Sequence, residues 1–205
     1  MGRAGRTNTG VCYKLWTKGE EGGLMPFPEP EILISDLSPL AMELAAWGVN
    51  NPENLPFLTH PKSSDFLTAQ ELLKNLGAIN DKGKITELGQ KISREPTHPR
   101  LARILISGGL DANLVVALIE SKDILGPNAP IDFKLRMDAI KNSISFENYY
   151  PYTISKKSSS NVLKLSKRLH SKGQLELSYS QMAAIAYPDR IGSVSYTHLT
   201  LPTKA

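Results

Sequence analysis

Cysteine is almost absent: one residue in 205, Cys12, excludes an internal disulfide and a thiolate zinc site. His60, His98, His170 and His198 lie far apart with no paired ligand spacing, so no metal centre is expected. Long apolar runs are missing too. Leu40 to Val49 is interrupted by Glu43, and Leu114 to Ile119 is shorter still, against the roughly 20 residues a bilayer requires. No membrane partner is therefore expected. The opening Met-Gly-Arg-Ala-Gly-Arg has no apolar core of an export signal, which makes a cytoplasmic location the default expectation. The chain also contains no GxxxxGK[ST] phosphate loop, no GxGxxG after a strand, no GxSxG elbow and no HExxH. By itself it is not expected to hydrolyse a nucleotide.

What is present describes a globular chain, with 40% hydrophobic and 21% charged residues, Gly 15 and Pro 14. The net charge is +4, and it is unevenly spread. Between Lys122 and Lys172 ten Lys or Arg face four acids, which suits a polyanionic partner as well as a solvated helix face. Within that stretch Lys134, Arg136, Lys156, Lys157, Lys164, Lys167 and Arg168 are the candidate nucleic-acid contacts, with Tyr149, Tyr150 and Tyr152 as candidate base-stacking groups.

The periodicity predicts mainly helix. Val11 to Trp16 alternates like a short strand, and Gly19 to Pro30, with three glycines and three prolines, reads as a connection. A helix is expected over Glu31–Trp47, with an apolar stripe from Ile32 to Ala45, a stop at Gly48 and Pro39 as its irregularity. A second, capped by Ser63 or Ser64, runs to Leu76 with Phe66, Leu67, Leu72, Leu73 and Leu76 inward, and ends at Gly77. Ala78 to Thr86 has the form of a hairpin, and Thr86 starts a short helix to Arg94. Helix, helix, hairpin and helix within some sixty residues outlines a winged helix. Beyond it, helices are expected from His98 to Ser107, from the cap Asp111 to about Lys122, from the cap Asp132 to about Asn142, over Asn161–His170 and from about Ser180 to Tyr187. Tyr149 to Ser160 reads as an exposed loop, and the set suits a small bundle.

Arg3 and Arg6, three apart with Gly2 and Gly5 beside them, suit two guanidinium groups on one phosphate; a basic N-terminal tail is the alternative. Gly2-Arg3-Ala4-Gly5-Arg6-Thr7 followed by Gly10 to Trp16 resembles the end of motif VI, QRxGRxGR, and the next strand in DEAH-box superfamily 2 helicases. Further matches run in order. Asp36-Leu37-Ser38-Pro39-Leu40-Ala41, Ala69-Gln70-Glu71-Leu72-Leu73, Leu76-Gly77-Ala78, Thr86-Glu87-Leu88-Gly89, His98-Pro99-Arg100-Leu101-Ala102 and Ala186-Tyr187-Pro188-Asp189-Arg190-Ile191 are similar to the HrpB family of bacterial ATP-dependent helicases. The resemblance covers about residues 1 to 191.

The resemblance implies a fold that is mainly α with a short β hairpin: the tail end of a RecA-like α/β domain (1–22), a linker helix and winged helix (23–97), and a ratchet-like helical bundle with its following segment (98–192). It implies a C-terminal fragment of an ATP-dependent RNA helicase, with Arg3 and Arg6 as arginine fingers and Gly2, Arg3, Gly5 and Arg6 at ATP. ATP and Mg2+ would then serve the full-length enzyme, and the fragment alone would bind neither. Its partners would be single-stranded nucleic acid, with RNA the favoured form, and the missing N-terminal RecA-like domains. Residues 193–205 contain Ser-Tyr-Thr-His-Leu-Thr-Leu-Pro-Thr, which resembles a translated sequencing adapter. Two other classes stay open on the residues: a non-enzymatic winged-helix nucleic-acid-binding module, for which Lys74, Lys82 and Lys84 would contact phosphates, and a protein scaffold. Three lysines without an aromatic platform favour a packing role for the wing.

Overall fold

The computed structural model describes residues 5, 7–25 and 27–192. The chain divides into two compact units between Ser35 and Asp36. In the first, a short helix α1 (Lys18–Glu21) is held by a capping box in which the Thr17 amide donates to Glu20 Oε2 at 2.7 Å and the Glu20 amide to Thr17 Oγ1 at 3.3 Å. Lys14 pairs with Glu21. Val11 to Trp16 does not form the expected strand: an isolated extended stretch has no neighbour to take its N–H and C=O groups, and Val11, Tyr13 and Leu15 stand exposed.

The second unit is helical. The helix expected over 31–47 is two pieces, a 3-10 turn at Glu31–Leu33, which ends the first unit, and α2 (Ser38–Ala46), which begins the helices of the second. Pro39 explains the break, since its ring suits a first helical turn and disfavours helix before it. Asp36 Oδ1 accepts the Ser38 amide at 2.7 Å in the gap. After a 3-10 turn at Pro52–Asn54 comes α3 (Ser63–Asn75), which buries Phe66, Ala69, Leu72 and Leu73. Leu67, expected in this stripe, is exposed, being one position out of step with the buried series. The expected serine cap is not made, because the chain enters at Lys62 with no side-chain cap. Gly48 and Gly77 end α2 and α3 at φ 79° and 72°, and the residue after each donates back across the last turn, Val49 to Leu44 O and Ala78 to Leu73 O, both at 2.8 Å.

The expected hairpin is a tight turn closed by one bridge, Ile79 to Ile85. Asn80 Oδ1 accepts the amides of Lys82 and Lys84, each at 3.0 Å. Thr86 then does two jobs. Its hydroxyl accepts the Gly89 amide at 2.9 Å to cap α4 (Glu87–Ile92) and donates to Gly77 O at 2.7 Å, tying the helix to the turn after α3. At Gly89 a Cβ would fall 2.0 Å from Ala78 O, so the Thr-Glu-Leu-Gly sequence lets α4 lie directly on the hairpin backbone.

The bundle comprises α5 (Pro99–Ser107), α6 (Ala112–Glu120), α7 (Phe133–Lys141), α8 (Ser143–Tyr149), α9 (Lys156–Arg168) and α10 (Tyr179–Ala186). The helix α5 touches α2 and α4 on one side and α6 and α10 of the bundle on the other, so it joins the bundle to the helices before it. The bundle core gathers Ile104, Leu105, Val116, Met137, Val162 and Met182, all fully or nearly fully buried. Asp132 caps α7 as expected, accepting the Lys134 amide at 2.8 Å. Asp111 does not cap α6; its carboxylate is taken by Lys141 at 2.6 Å and by the Tyr179 hydroxyl at 3.0 Å. The stretch 149–160 is only in part a loop, for α9 begins at Lys156 behind Ser155, whose Oγ accepts the Ser158 amide at 3.3 Å.

Candidate nucleic-acid interface

Helix α9 turns Ser158, Ser159, Val162, Leu165 and Ser166 inward and carries a basic outer face. Val162 and Ser166 are buried, and Asn113 on α6 donates from Nδ2 to Ser166 O at 3.1 Å, fixing which side of α9 faces the core. At about 100° per residue, Lys156, Lys167, Lys164, Lys157 and Arg168 then fall within an arc of about 120° on the opposite side. All five are exposed, α9 contains no acid, and none of the five has an ion-pair partner among the described residues. Five cations within about three and a half turns repel one another weakly and attract a polyanion strongly, and a phosphate chain is the common ligand of such an arc.

The other sequence-derived candidates divide. Lys134 is exposed at the start of α7, on another helix. Arg136 does not join the basic face. It donates to Asp123 at 2.7 and 3.3 Å, to Asp132 O at 3.1 Å and to Pro130 O, and its side chain is 13% exposed, so its charge is spent inside the 123–136 connection. Burial pushes the Asp123 carboxyl up, but hydrogen bonds from Arg136 and from the Leu125 amide outweigh it and hold the group below its ordinary value. Tyr149 is exposed; Tyr150 stacks on Tyr152 at 6.5 Å and leans on Phe146 at 4.8 Å, and Tyr152 packs on the bundle core. Only Tyr149 is therefore disposed as a free ring. Lys74, Lys82 and Lys84 are exposed around the wing turn. Gly2, Arg3 and Arg6 lie outside the described residues, as does the tail 193–205; Gly5 has φ 79°, a conformation that suits glycine. Among the described residues no cluster of His, Cys, Asp or Glu could hold a metal, and no helix is long and apolar enough to cross a membrane.

Two features escaped sequence reasoning. One is a groove of about 650 Å³ between α9 and the α7–α8 corner, lined by Lys156, Lys164, Lys167, Leu163, Ile144 and Glu147. The other is a clasp between two of the short sequence matches. Arg100 donates to Asp189 at 3.0 Å through Nη2 and through Nη1 as well, and to Ala186 O at 3.0 Å. Its guanidinium lies 5.0 Å from the Tyr187 ring centre, with the Arg190 guanidinium also on that ring at 4.8 Å. The Arg100 hydrogen bond is the first cause holding the Asp189 carboxyl below its ordinary value. Two residues before it, His98 Nδ1 accepts the Arg100 amide at 3.2 Å and Nε2 meets Asp36 Oδ2 at 3.1 Å. The ordered sequence matches at 36, 98–102 and 186–191 thus converge on the first turn of α5.

Comparison with known proteins agrees with this geometry. Residues 69–94, which cover the second half of α3, the hairpin turn and α4, match the winged helix of the helicase-associated domain HA2. The chain is 36% identical to the ATP-dependent RNA helicase HrpB of Escherichia coli over 130 residues, which is 61% of this chain and 16% of that protein. It is 37% identical to the pre-mRNA-splicing factor ATP-dependent RNA helicase prp22 of Schizosaccharomyces pombe over 107 residues, 52% of this chain and 9% of the relative. The crystal structure of the E. coli DEAH/RHA helicase HrpB superposes on 92% of the chain with a TM-score of 0.59 at 28% identity, using 23% of its own length. The chain thus spans less than a fifth of the curated relatives compared here and under a quarter of the solved one. Residues 69–94 are accordingly a helicase-associated winged helix, and the chain that carries them is similar to a segment of the DEAH/RHA helicases of the HrpB kind.

Proposed function

We propose that the chain is the C-terminal accessory part of an ATP-dependent RNA helicase, in which ATP hydrolysis drives movement along single-stranded nucleic acid. Residues 1–22 end the second RecA-like domain, 23–97 form the linker helix and winged helix, 98–192 form the ratchet-like bundle, and 193–205 are foreign to the protein. Exposed Val11, Tyr13 and Leu15 at alternate positions support the first assignment, being the pattern of a strand whose sheet is supplied by other residues. On this reading Arg3 and Arg6 reach the γ-phosphate of ATP held with Mg2+ by another RecA-like domain, and stabilise the charge that develops in phosphoryl transfer. The 205 residues alone then hydrolyse no ATP.

The observation that carries the nucleic-acid role is the unpaired cationic arc of α9, set on a bundle directly after a helicase-associated winged helix. RNA-stimulated ATP hydrolysis by the intact parent protein tests the whole reading. Arg6→Ala is expected to lower kcat by at least about 10³. Lys156→Ala with Lys157→Ala is expected to raise the RNA concentration for half-stimulation and to reduce the slope of log K against log salt by about 1.4, at about 0.7 per phosphate on a single strand. Unchanged kcat in the first variant removes the finger assignment, and an unchanged slope in the second removes α9 from the strand path.

A further inference from the structure

We infer that the groove between α9 and the α7–α8 corner is a nucleotide subsite: its lysines take one backbone phosphate, and its apolar wall takes the neighbouring base of a single strand. This deepens the helicase reading above and rests on it. The cationic arc is not uniform. Lys156, Lys164 and Lys167 line the groove, whereas Lys157 and Arg168 do not. Beside the lysines on α9 stands Leu163, and Ile144 of α8 lines the same groove; they are 43% and 82% exposed although both are large aliphatic side chains. A volume of about 650 Å³ accommodates a nucleotide unit.

Charge and shape together select the ligand. Three cations stand against one acid, Glu147, so the groove attracts an anion, and Glu147 is placed to accept from a base amino group. An acidic peptide would satisfy the lysines and leave Ile144 and Leu163 wet; a base or ribose covers them. In a duplex the flat faces of the bases are hidden by stacking, so an apolar wall beside the lysines suits the face of an unpaired base. Ser159 also lines the groove, and its Oγ is buried without a hydrogen-bond partner in the structure, an unmet valence at the wall where the phosphate would lie.

Binding of fluorescent oligouridylate to the 205-residue chain, titrated over a salt series, tests this against a matched duplex and against poly-glutamate as competitor. Lys164→Ala with Lys167→Ala and Lys157→Ala with Arg168→Ala remove the same charge from the same helix. A subsite requires the first pair to lose at least about tenfold more affinity than the second. Ile144→Ala with Leu163→Ala is expected to weaken single-strand binding by about 5- to 100-fold with the salt slope unchanged and duplex binding untouched. Both residues are exposed, and an unchanged melting temperature confirms that the fold survives. Equal losses for the two charge pairs reduce the groove to part of a diffuse patch and overturn the inference, as does an apolar pair that binds like wild type. Displacement by poly-glutamate as efficient as by unlabelled RNA overturns it in favour of an acidic protein partner. If the unsubstituted chain binds no single strand at all, the nucleic-acid role of α9 falls, and the subsite with it.

Discussion

At the scale of single residues, the winged helix depends on contacts between side chains and backbone that leave no room for change. Gly89 is the sharpest case. The hydrogen atom it has in place of a side chain allows α4 to rest on Ala78 O, whose lone pair also accepts the Thr86 amide at 3.0 Å. Gly89→Ala forces either α4 or the hairpin turn aside, and overpacking of this kind costs about 1–3 kcal/mol. The expected fall in melting temperature is about 2–12 °C at the usual 2–4 °C per kcal/mol for a chain of this size. Thermal unfolding followed by circular dichroism checks it, and a melting temperature within a degree of the parent would show that the backbone gives freely. Thr86 and Gly89 were both legible as a cap and a small residue in one tetrapeptide. Arg100 was legible only as part of a match, because its partners Ala186 and Asp189 lie more than eighty positions away and no local rule links them. The opposite holds for Arg136, whose charge in the sequence looks as available as that of Lys134 until Asp123 is seen to occupy it.

Among the elements, α9 shows how local chemistry decides a functional face. Tyr-Tyr-Pro-Tyr followed by a run of serines reads as polar loop, which places the helix start five residues late. Ser155 is the residue that reverses this: its hydroxyl caps the helix and brings Lys156 and Lys157 into register with Lys164, Lys167 and Arg168. Ser155→Ala is expected to cost about 1 kcal/mol, the ordinary value for a lost N-cap, and to fray the first turn. Hydrogen exchange at the Ser158 and Ser159 amides reads this directly; unaltered protection there would mean that the turn is held by packing instead. Helix α8 left no clear signal, since Ser143–Tyr149 is short and has one buried residue, Phe146. The stops at Gly48 and Gly77, the cap at Asp132 and the break at Pro39 were all written locally, and the structure uses each one. Asp111 shows the limit of such reading, because a tertiary pair with Lys141 and Tyr179 outcompetes the capping bond that its position suggests.

Over the whole molecule, among the carboxylates that pair with cations or with a histidine ring, three bear on acid stability: Asp36 with His98, Asp123 with Arg136 and Asp189 with Arg100. Each is held below its ordinary value. For Asp36 burial acts upward, and the bonds from Ser38 with the His98 ring more than offset it. A carboxyl whose folded value is depressed contributes stability that is fully present above the unfolded value of about 3.9 and is lost as pH falls through the folded value. The urea midpoint is therefore expected to hold near neutral pH and to drop below about pH 4, and the triple variant Asp36→Asn, Asp123→Asn, Asp189→Asn is expected to flatten that drop. A parallel decline in the variant would place the acid sensitivity elsewhere. The clasp has a mechanical consequence as well. Asp36 opens the second unit and Asp189 lies near the end of its described part, yet both are fastened to side chains two positions apart on one turn of α5. Tension applied between those two ends would be borne across four side chains at a single anchorage, Asp36 on His98 and Asp189 on Arg100, and the helices of the bundle interior would carry none of it until that anchorage gave way.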